Sequence, residues 1–172
     1  NPNCTEPLLT KLETDYTISV NDTAQMCADI DVALNRGYRC LKIKIGKQPQ
    51  EDLVRIRAIT RHVQHCQKQL GEEIALRLDV NQGWDEQTSI HILQTLELED
   101  IKFELIEQPL IAADIQGLAS VVKAIDTPIM ADESAFSLAQ VKCLHEQKAA
   151  DIINIKLVKT GGLYNALQII DY

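Results

Sequence analysis

The chain has 172 residues, of which 45% are hydrophobic and 24% charged, as in folded globular domains and unlike disordered or collagen-like chains. A formal net charge of −8 disfavours a nucleic-acid-binding surface. Because no apolar run approaches the roughly 20 residues that span a bilayer, and because the first residues lack the basic and apolar regions of a signal peptide, we expect a cytoplasmic protein with no membrane association.

Strand-like runs alternate with amphipathic helical stretches along the chain and form six consecutive β–α units. The predicted strands cover residues 16–20, 40–45, 74–80, 102–106, 128–131 and 152–157. The predicted helices cover residues 22–35, 51–65, 85–96, 114–125, 137–146 and 163–172. This alternation predicts a parallel sheet covered by helices, either an open doubly wound sheet or a (β/α)8 barrel.

The first strand-to-helix turn and the polar residues in the strands favour the barrel. The turn at residues 20–23 has the sequence VNDT and lacks a glycine-rich dinucleotide fingerprint. Polar residues recur at alternate positions near the carboxyl ends of the strands, which is where barrels carry their catalytic groups.

Alternation along the second and third strands places charged residues on a common face. Successive side chains of a strand point to opposite faces, so Lys42 and Lys44 share one face and the aliphatic residues around them share the other. Arg77, Asp79 and Asn81 share a face in the same way. An edge strand with one wet face would also explain the two lysines alone. In a barrel all five residues point inward.

One ionisable residue recurs in each of four successive units. Asp79, Glu107, Asp132 and Lys156 follow one another at intervals of about 24–28 residues, close to the roughly 31 residues of one barrel unit. An ion pair or a helix cap would explain any one of them, but not all together. Three carboxylates converging on one point repel one another unless they hold a cation, and oxygen ligands favour a hard ion such as Mg²⁺.

The lysines on either side of these carboxylates suit acid–base chemistry. Lys42 and Lys44 lie one strand before the carboxylates, and Lys156 lies one strand after them. A lysine that is partly desolvated or near another lysine has a lowered pKa and serves as a base at neutral pH. With a metal ion that stabilises charge on a substrate oxygen, these residues predict removal of a proton from a carbon next to a carboxylate.

The cysteines and histidines do not predict a second site. The five cysteines are scattered and form no CxxC pair, so we expect packing or surface thiols in a reducing compartment, with no disulfide framework and no zinc site. His62 and His65 are expected on a solvated helical face.

Five motifs in this order resemble the muconate-lactonizing subgroup of the enolase superfamily. They are KIK at 42–44, DVNQGW at 79–84, EQP at 107–109, ADES at 131–134 and IKLVKTGG at 155–162. The resemblance covers nearly the whole chain from about residue 12. It implies a TIM-type (β/α)8 barrel, one Mg²⁺ per active site that stabilises an enediolate, a small-molecule carboxylate substrate and a homo-oligomer at full length.

The resemblance also implies roles for individual residues. The three metal ligands are Asp79, Glu107 and Asp132. The opposed acid–base residues are Lys44 and Lys156, and Lys42 assists Lys44. Asn81 and Glu133 support the ligands, and Thr17 lines the substrate pocket. The stretch at 13–20 is similar to the first barrel strand of dipeptide epimerases of the L-Ala-D/L-Glu type, which implies epimerisation of a dipeptide.

The chain departs from the superfamily in what it lacks. About six of eight β/α units are present, and the capping domain and the Asp-x-Asp motif of the last strand are missing. We therefore expect residues 1–172 to be the central part of a C-terminal barrel domain, ending before strands 7 and 8. Two alternatives stay open: a muconate cycloisomerase or o-succinylbenzoate synthase-like enzyme, and a non-catalytic fragment that retains the motifs.

Overall fold

A computed structural model describes residues 12–172, and within that range six parallel strands form one sheet in the order β1 to β6. The strands are β1 (Tyr16–Ile18), β2 (Cys40–Lys44), β3 (Ala75–Asp79), β4 (Leu105–Glu107), β5 (Ile129–Ala131) and β6 (Ile152–Ile153). The helices are α1 (Thr23–Asn35), α2 (Pro49–Leu70), α3 (Glu86–Leu98), α4 (Ile115–Ala124), α5 (Leu138–Glu146), α6 (Leu157–Thr160) and α7 (Leu163–Asp171). The predicted α/β architecture is confirmed.

The two faces of the sheet differ as the alternation predicts. Leu41 and Ile43 of β2 are almost fully buried, as are Leu78 and Val80 at β3. These residues join one hydrophobic core with side chains of the surrounding helices. The opposite face of β2 carries Lys42, which is only partly buried. The helices therefore cover an apolar face and leave the charged face free to carry the site.

All six strands are shorter than predicted, and the start of β4 and the end of β6 differ most. β4 begins at Leu105, because residues 102–104 precede the point where the strand enters the buried part of the sheet, and Glu104 is exposed. β6 ends at Ile153, and the strand-like sequence that follows instead leads into the short helix α6. That helix ends at Gly161, whose φ of 75° favours glycine.

Helix α2 is longer than predicted at both ends. Pro49 starts it, since a missing N–H costs nothing in the first turn, and Gly71 ends it in the left-handed conformation. The last turns are polar on most sides, which hides their helical period in the sequence. Although α2 has 22 residues, no helix in the described part of the chain is long and apolar enough to cross a membrane.

Side-chain caps fix the starts of several helices close to the carboxyl ends of the strands. Asp22, Asp85 and Asp114 each accept a hydrogen bond from a backbone N–H three residues later, and Ser137 does the same with its hydroxyl. Each cap satisfies an N–H group that the helix leaves unpaired. The caps thereby set where the loops after the strands end.

The Asp85 cap makes a pH-dependent contribution to stability. Its bond from the Thr88 N–H, at 2.8 Å, holds the pKa of Asp85 below its ordinary value of 3.8. A group whose pKa is lower in the folded state stabilises the fold above its unfolded pKa and stops doing so as pH falls through the folded value. We therefore expect Asp85→Ala to be destabilising at neutral pH, with the loss shrinking below about pH 4.

The measurement is urea unfolding of wild type and variant at a series of pH values from neutral to acidic. Ser137→Ala is the matched control, because its cap on α5 is a neutral hydroxyl whose contribution does not titrate. A pH-independent loss in Asp85→Ala, like that expected for Ser137→Ala, would contradict the prediction.

Candidate active site

The strand register places three of the predicted site residues side by side. Lys44 at the end of β2 is opposite Asp79 at the end of β3, which is opposite Glu107 at the end of β4. Asp132 follows β5 directly, and Lys156 follows β6 by three residues. Asp79, Glu107 and Asp132 are only 1–3% exposed. The structure thus gathers the predicted carboxylates and lysines at the carboxyl ends of the strands.

The two lysines of β2 contact the first two carboxylates. Lys42 Nζ lies 3.2 Å from Glu107 Oε2 and 3.6 Å from Asp79 Oδ2. Lys44 Nζ lies 3.3 Å from Asp79 Oδ2 and donates a hydrogen bond to Asn81 Oδ1 at 2.8 Å. The backbone N–H of Asn81 in turn donates to Asp79 Oδ1 at 3.1 Å. Asn81 therefore supports both a predicted ligand and a predicted base.

Asp132 takes its positive partners from the other side of the site. Its carboxylate contacts the ammonium groups of Lys156 and Lys159, and Lys159 Nζ also donates to the backbone oxygen of Asn154 at 2.9 Å. Burial alone raises the pKa of Asp132, but the hydrogen bonds from the two lysines outweigh it, so the pKa lies below its ordinary value. Lys159 is a site residue that the sequence analysis missed, although it lies within the last motif.

Lys42 has the opposite pKa shift to the one expected for a desolvated lysine. Burial lowers the pKa of Lys42, but the negative charges of Glu107 and Asp79 outweigh it, so the pKa lies above the ordinary value. Lys42 is therefore a cation, and it neutralises the carboxylates of Glu107 and Asp79. This corrects the expectation that the neighbouring lysine and burial would dominate.

Two further groups bear on whether a cation fits these carboxylates. Asn154 Nδ2 donates a hydrogen bond to Glu107 Oε1 at 2.9 Å. The other carboxylate oxygen of Glu107, Oε2, accepts a hydrogen bond from Lys42. Glu133 Oε2 is buried, and no residue from 12 to 172 donates a hydrogen bond to it. Burial and the charges of Asp132 and Asp79 raise the pKa of Glu133. Buried oxygen donors, one of them unpartnered, form a donor set that suits a hard divalent cation.

The remaining predicted residue, Thr17, lies on the same face of the sheet as the lysines. Thr17 of β1 is paired in register with Lys42 of β2, and its side chain is exposed. Strand β2 therefore lies between Thr17 and Asp79, the first of the carboxylates.

Gln108 links the loops that follow β3, β4 and β5. Its side chain is fully buried; Oε1 accepts from the N–H groups of Asp132 and Ser134, at 2.9 and 3.1 Å, and Nε2 donates to Ser134 Oγ at 2.8 Å. Its backbone oxygen accepts from Gln82 N–H at 2.8 Å. Gln108 and Gln82 both have positive φ, at 37° and 64°. Gln108, one of these strained residues, thereby holds the backbone of Asp132, a predicted metal ligand, against the loop after β4.

Asp52 fixes the loop after β2 from behind the site. It is fully buried at the start of α2 and accepts hydrogen bonds from Gly46 N–H at 3.1 Å, Trp84 Nε1 at 3.0 Å and Arg55 Nη1 at 2.9 Å. Gly46 follows Lys44 by two residues. Asp52 thereby ties the segment that carries Lys44 to the loop after β3.

Arg77 shares its face with Asp79 but belongs to a separate cluster. It lies toward the amino end of β3, where it pairs with Asp15 at 3.0 Å and with Glu104 at 2.6 Å. These two carboxylates raise the pKa of Arg77, against the effect of burial. These ion pairs lie at the amino ends of the strands, opposite the candidate site.

Comparisons with known proteins give the family and the relatives that the chain resembles. The sequence model of the family described as enolase C-terminal domain-like matches residues 25–172. Over 159 residues the chain is 46% identical to the L-Ala-D/L-Glu epimerase of Clostridium acetobutylicum, covering 92% of this chain and 42% of that protein. The chain therefore spans less than half the length of this curated relative.

Solved structures share both the fold and a related description. A substrate-liganded L-Ala-D/L-Glu epimerase from Bacillus subtilis has a TM-score of 0.84 at 42% identity, over 92% of this chain and 42% of that one. A dipeptide epimerase from Cytophaga hutchinsonii, in complex with Mg and D-Ala-L-Val, has a TM-score of 0.83 at 33% identity, over 93% and 41%. These neighbours are TIM-type barrels, which confirms the predicted fold class.

The contact between the loops after β2 and β3 leaves no room for a side chain. A Cβ added to Gly83 would lie 2.0 Å from the oxygen and 2.4 Å from the Cα of Gly46. We therefore expect Gly83→Ala to push the loops apart and to lower the free energy of unfolding by about 1–3 kcal/mol. Trp84, the single tryptophan of the chain, is buried next to Gly83, so its fluorescence emission should shift to longer wavelength.

Gly71→Ala provides the control for this measurement. A Cβ at Gly71 meets nothing within 4 Å, so that variant bears only the cost of its left-handed backbone, with φ of 67°. Its tryptophan emission should match wild type. Unchanged emission and unchanged stability in Gly83→Ala would show that the two loops are not held in contact.

Proposed function

The chain belongs to the enolase C-terminal domain-like family, and we propose that the intact protein is a magnesium-dependent dipeptide epimerase of the L-Ala-D/L-Glu type. The observation that carries the proposal is the row of buried carboxylates with lysines at both ends. Lys44 contacts it from β2, and Lys156 contacts it from the segment after β6. In this proposal the chain forms part of the barrel domain.

The metal would be held by the oxygen atoms of Asp79, Glu107 and Asp132. When bound, Mg²⁺ would stabilise negative charge that develops on the substrate carboxylate. The buried, unpartnered oxygen of Glu133 supports this assignment, because a nearby cation would offset its burial. Asn154 and Asn81 would keep the ligands oriented through the hydrogen bonds that they make to Glu107 and Asp79.

The lysines would move the proton. In one direction the neutral amine of Lys44 takes the α-proton from one face of the substrate carbon, and the ammonium group of Lys156 returns a proton to the other face. In the reverse direction the two lysines exchange roles, so no net proton is gained or lost. Lys42, which contacts Glu107 and Asp79, would assist Lys44 by neutralising these two carboxylates.

The proposed substrate class comes from the relatives. The proteins from Clostridium acetobutylicum and Bacillus subtilis are named L-Ala-D/L-Glu epimerases, and the Cytophaga hutchinsonii enzyme was solved with a dipeptide. An α-carboxylate next to a removable proton is the substrate feature that the carboxylate and lysine arrangement can serve. A dipeptide such as L-Ala-L-Glu is therefore the substrate to test first.

The metal assignment predicts a selective loss of magnesium affinity. In the intact protein Asp79→Asn, Glu107→Gln and Asp132→Asn should each weaken Mg²⁺ binding at least about tenfold, because each removes a charged ligand. Isothermal titration calorimetry measures the affinity. Glu104→Gln is the control, since it removes a carboxylate three residues before Glu107 that pairs with Arg77 instead. Equal weakening in the control, or none in the three variants, would contradict the assignment.

The two-base mechanism predicts opposite behaviour of two single variants. Lys44→Ala and Lys156→Ala should each abolish net epimerisation, because the proton must leave one face and return to the other. The remaining lysine still exchanges the proton on its own face. Each variant should therefore incorporate solvent deuterium into one epimer only, and the two variants should select opposite epimers. Nuclear magnetic resonance of L-Ala-L-Glu and L-Ala-D-Glu in deuterated water measures this.

Lys123→Ala, an exposed substitution on α4, should retain wild-type exchange into both epimers. If both site variants stay folded and bind Mg²⁺ but exchange neither epimer, the two-base mechanism is wrong. A one-base reaction of the cycloisomerase kind would then explain the lysines better.

A further inference from the structure

A second group of metal-ligating side chains lies outside the sheet, between α1 and α2. Asp31 Oδ1 is 2.7 Å from His62 Nε2, and Cys66 Sγ is 3.7 Å from each of these two atoms. The three atoms therefore form a compact triangle of one oxygen, one nitrogen and one sulfur. Cys66 is a buried thiol, as expected of a packing cysteine, and His62 is partly exposed beside the exposed Asp31.

The size of the triangle matches the requirements of a tetrahedral zinc ion. With Zn–S of about 2.3 Å and Zn–N or Zn–O of about 2.0–2.1 Å, tetrahedral angles separate the ligand atoms by about 3.3–3.6 Å. The observed separations of 2.7 and 3.7 Å differ from these values by about 0.6 Å or less. Small side-chain rotations would bring Asp31, His62 and Cys66 to the ion without moving either helix.

The sequence places these residues by helical spacing. His62 and Cys66 are four residues apart on α2 and so lie on one face of that helix. Asp31 is on the facing side of α1, four residues after Cys27. Burial raises the pKa of the Cys27 thiol, and the negative charge of Asp31 raises it further. The absence of a CxxC motif hid the site, because its ligands come from two helices.

The surroundings of the three side chains give a metal ion access from solvent. Cys66 is buried, His62 is partly buried and Asp31 is exposed, so the group runs from the helix interface to solvent. It lines a groove of about 440 Å³ that also contains His65 and Gln69. One ligand position would remain open to water from this groove. Burial and the negative charge of Asp31 raise the pKa of Cys66, so a bound ion must displace the thiol proton into solvent.

We propose that Asp31, His62 and Cys66 bind one zinc ion that joins α1 to α2. Nitrogen and sulfur ligands favour zinc over the hard ions that the carboxylate site suits. The zinc site is also separate in space from the carboxylate site. Asp52 lies in the first turn of α2, near the carboxylate site, and His62 lies ten residues later, about 15 Å along the helix. Its role would be to stabilise the helical layer.

The experiment uses the intact protein saturated with Mg²⁺, so that the carboxylate site does not compete for added ions. Zinc is titrated in the presence of a non-chelating reductant, and bound zinc is counted after dialysis. Co²⁺ is a second probe, since a cobalt–thiolate bond gives a charge-transfer band that oxygen ligands do not give. We expect one zinc ion per chain at micromolar zinc, a thiolate band with cobalt, and a higher melting temperature.

Asp31→Asn, His62→Gln and Cys66→Ser should each weaken zinc binding at least about tenfold, and Cys66→Ser should remove the thiolate band. The matched controls are His65→Gln, from the same groove, and Cys143→Ser, from α5; both should bind zinc as wild type does. Asp31 and His62 are partly exposed, so their variants remain informative if Cys66→Ser fails to fold. No binding at micromolar zinc, or equal binding by these variants, would overturn the proposal.

Discussion

Burying carboxylates at the ends of neighbouring strands requires positive charge beside them, and the candidate site is organised around that requirement. Asp79, Glu107 and Asp132 are almost fully inaccessible to solvent. A carboxylate without a positive partner is strongly unfavourable in such a buried position. Lysines compensate the charge from both ends of the row: two from β2 and two from the segment after β6. The same placement that neutralises the carboxylates puts amino groups at both ends of the row.

The rest of the local structure keeps these charges in place. Gln108 bonds the loops after β4 and β5 to one another, and Asp52 bonds the loop after β2 to the loop after β3. Gly46 and Gly83 allow the first two of these loops to touch. The buried apolar face of the sheet supplies the rigid support. The geometry of the candidate site is therefore set by short loops, bonded to one another on the side away from the site, and not by the strands alone.

The sequence was sufficient for the features that repeat locally and insufficient for those that depend on distant partners. Lys42 and Asp79 could be placed on the inner face because alternation along a strand is a local rule. Lys159 and Gln108 could not be assigned, because their partners are more than twenty residues away and only the assembled loops bring them together. The neighbours of Cys66 could not be assigned for the same reason, because they include Asp31 on another helix. The end of β6 was misplaced because the β-branched residues before and after it also occur in helices.

The most direct test of the central claim is a crystal structure of the intact protein with Mg²⁺ and L-Ala-L-Glu. The account predicts oxygen atoms of Asp79, Glu107 and Asp132 at about 2.0–2.1 Å from one ion. It also predicts the ammonium groups of Lys44 and Lys156 on opposite faces of the substrate α-carbon. An ion bound elsewhere, with the three carboxylates still paired to lysines, or both lysines on one face of that carbon, would contradict it.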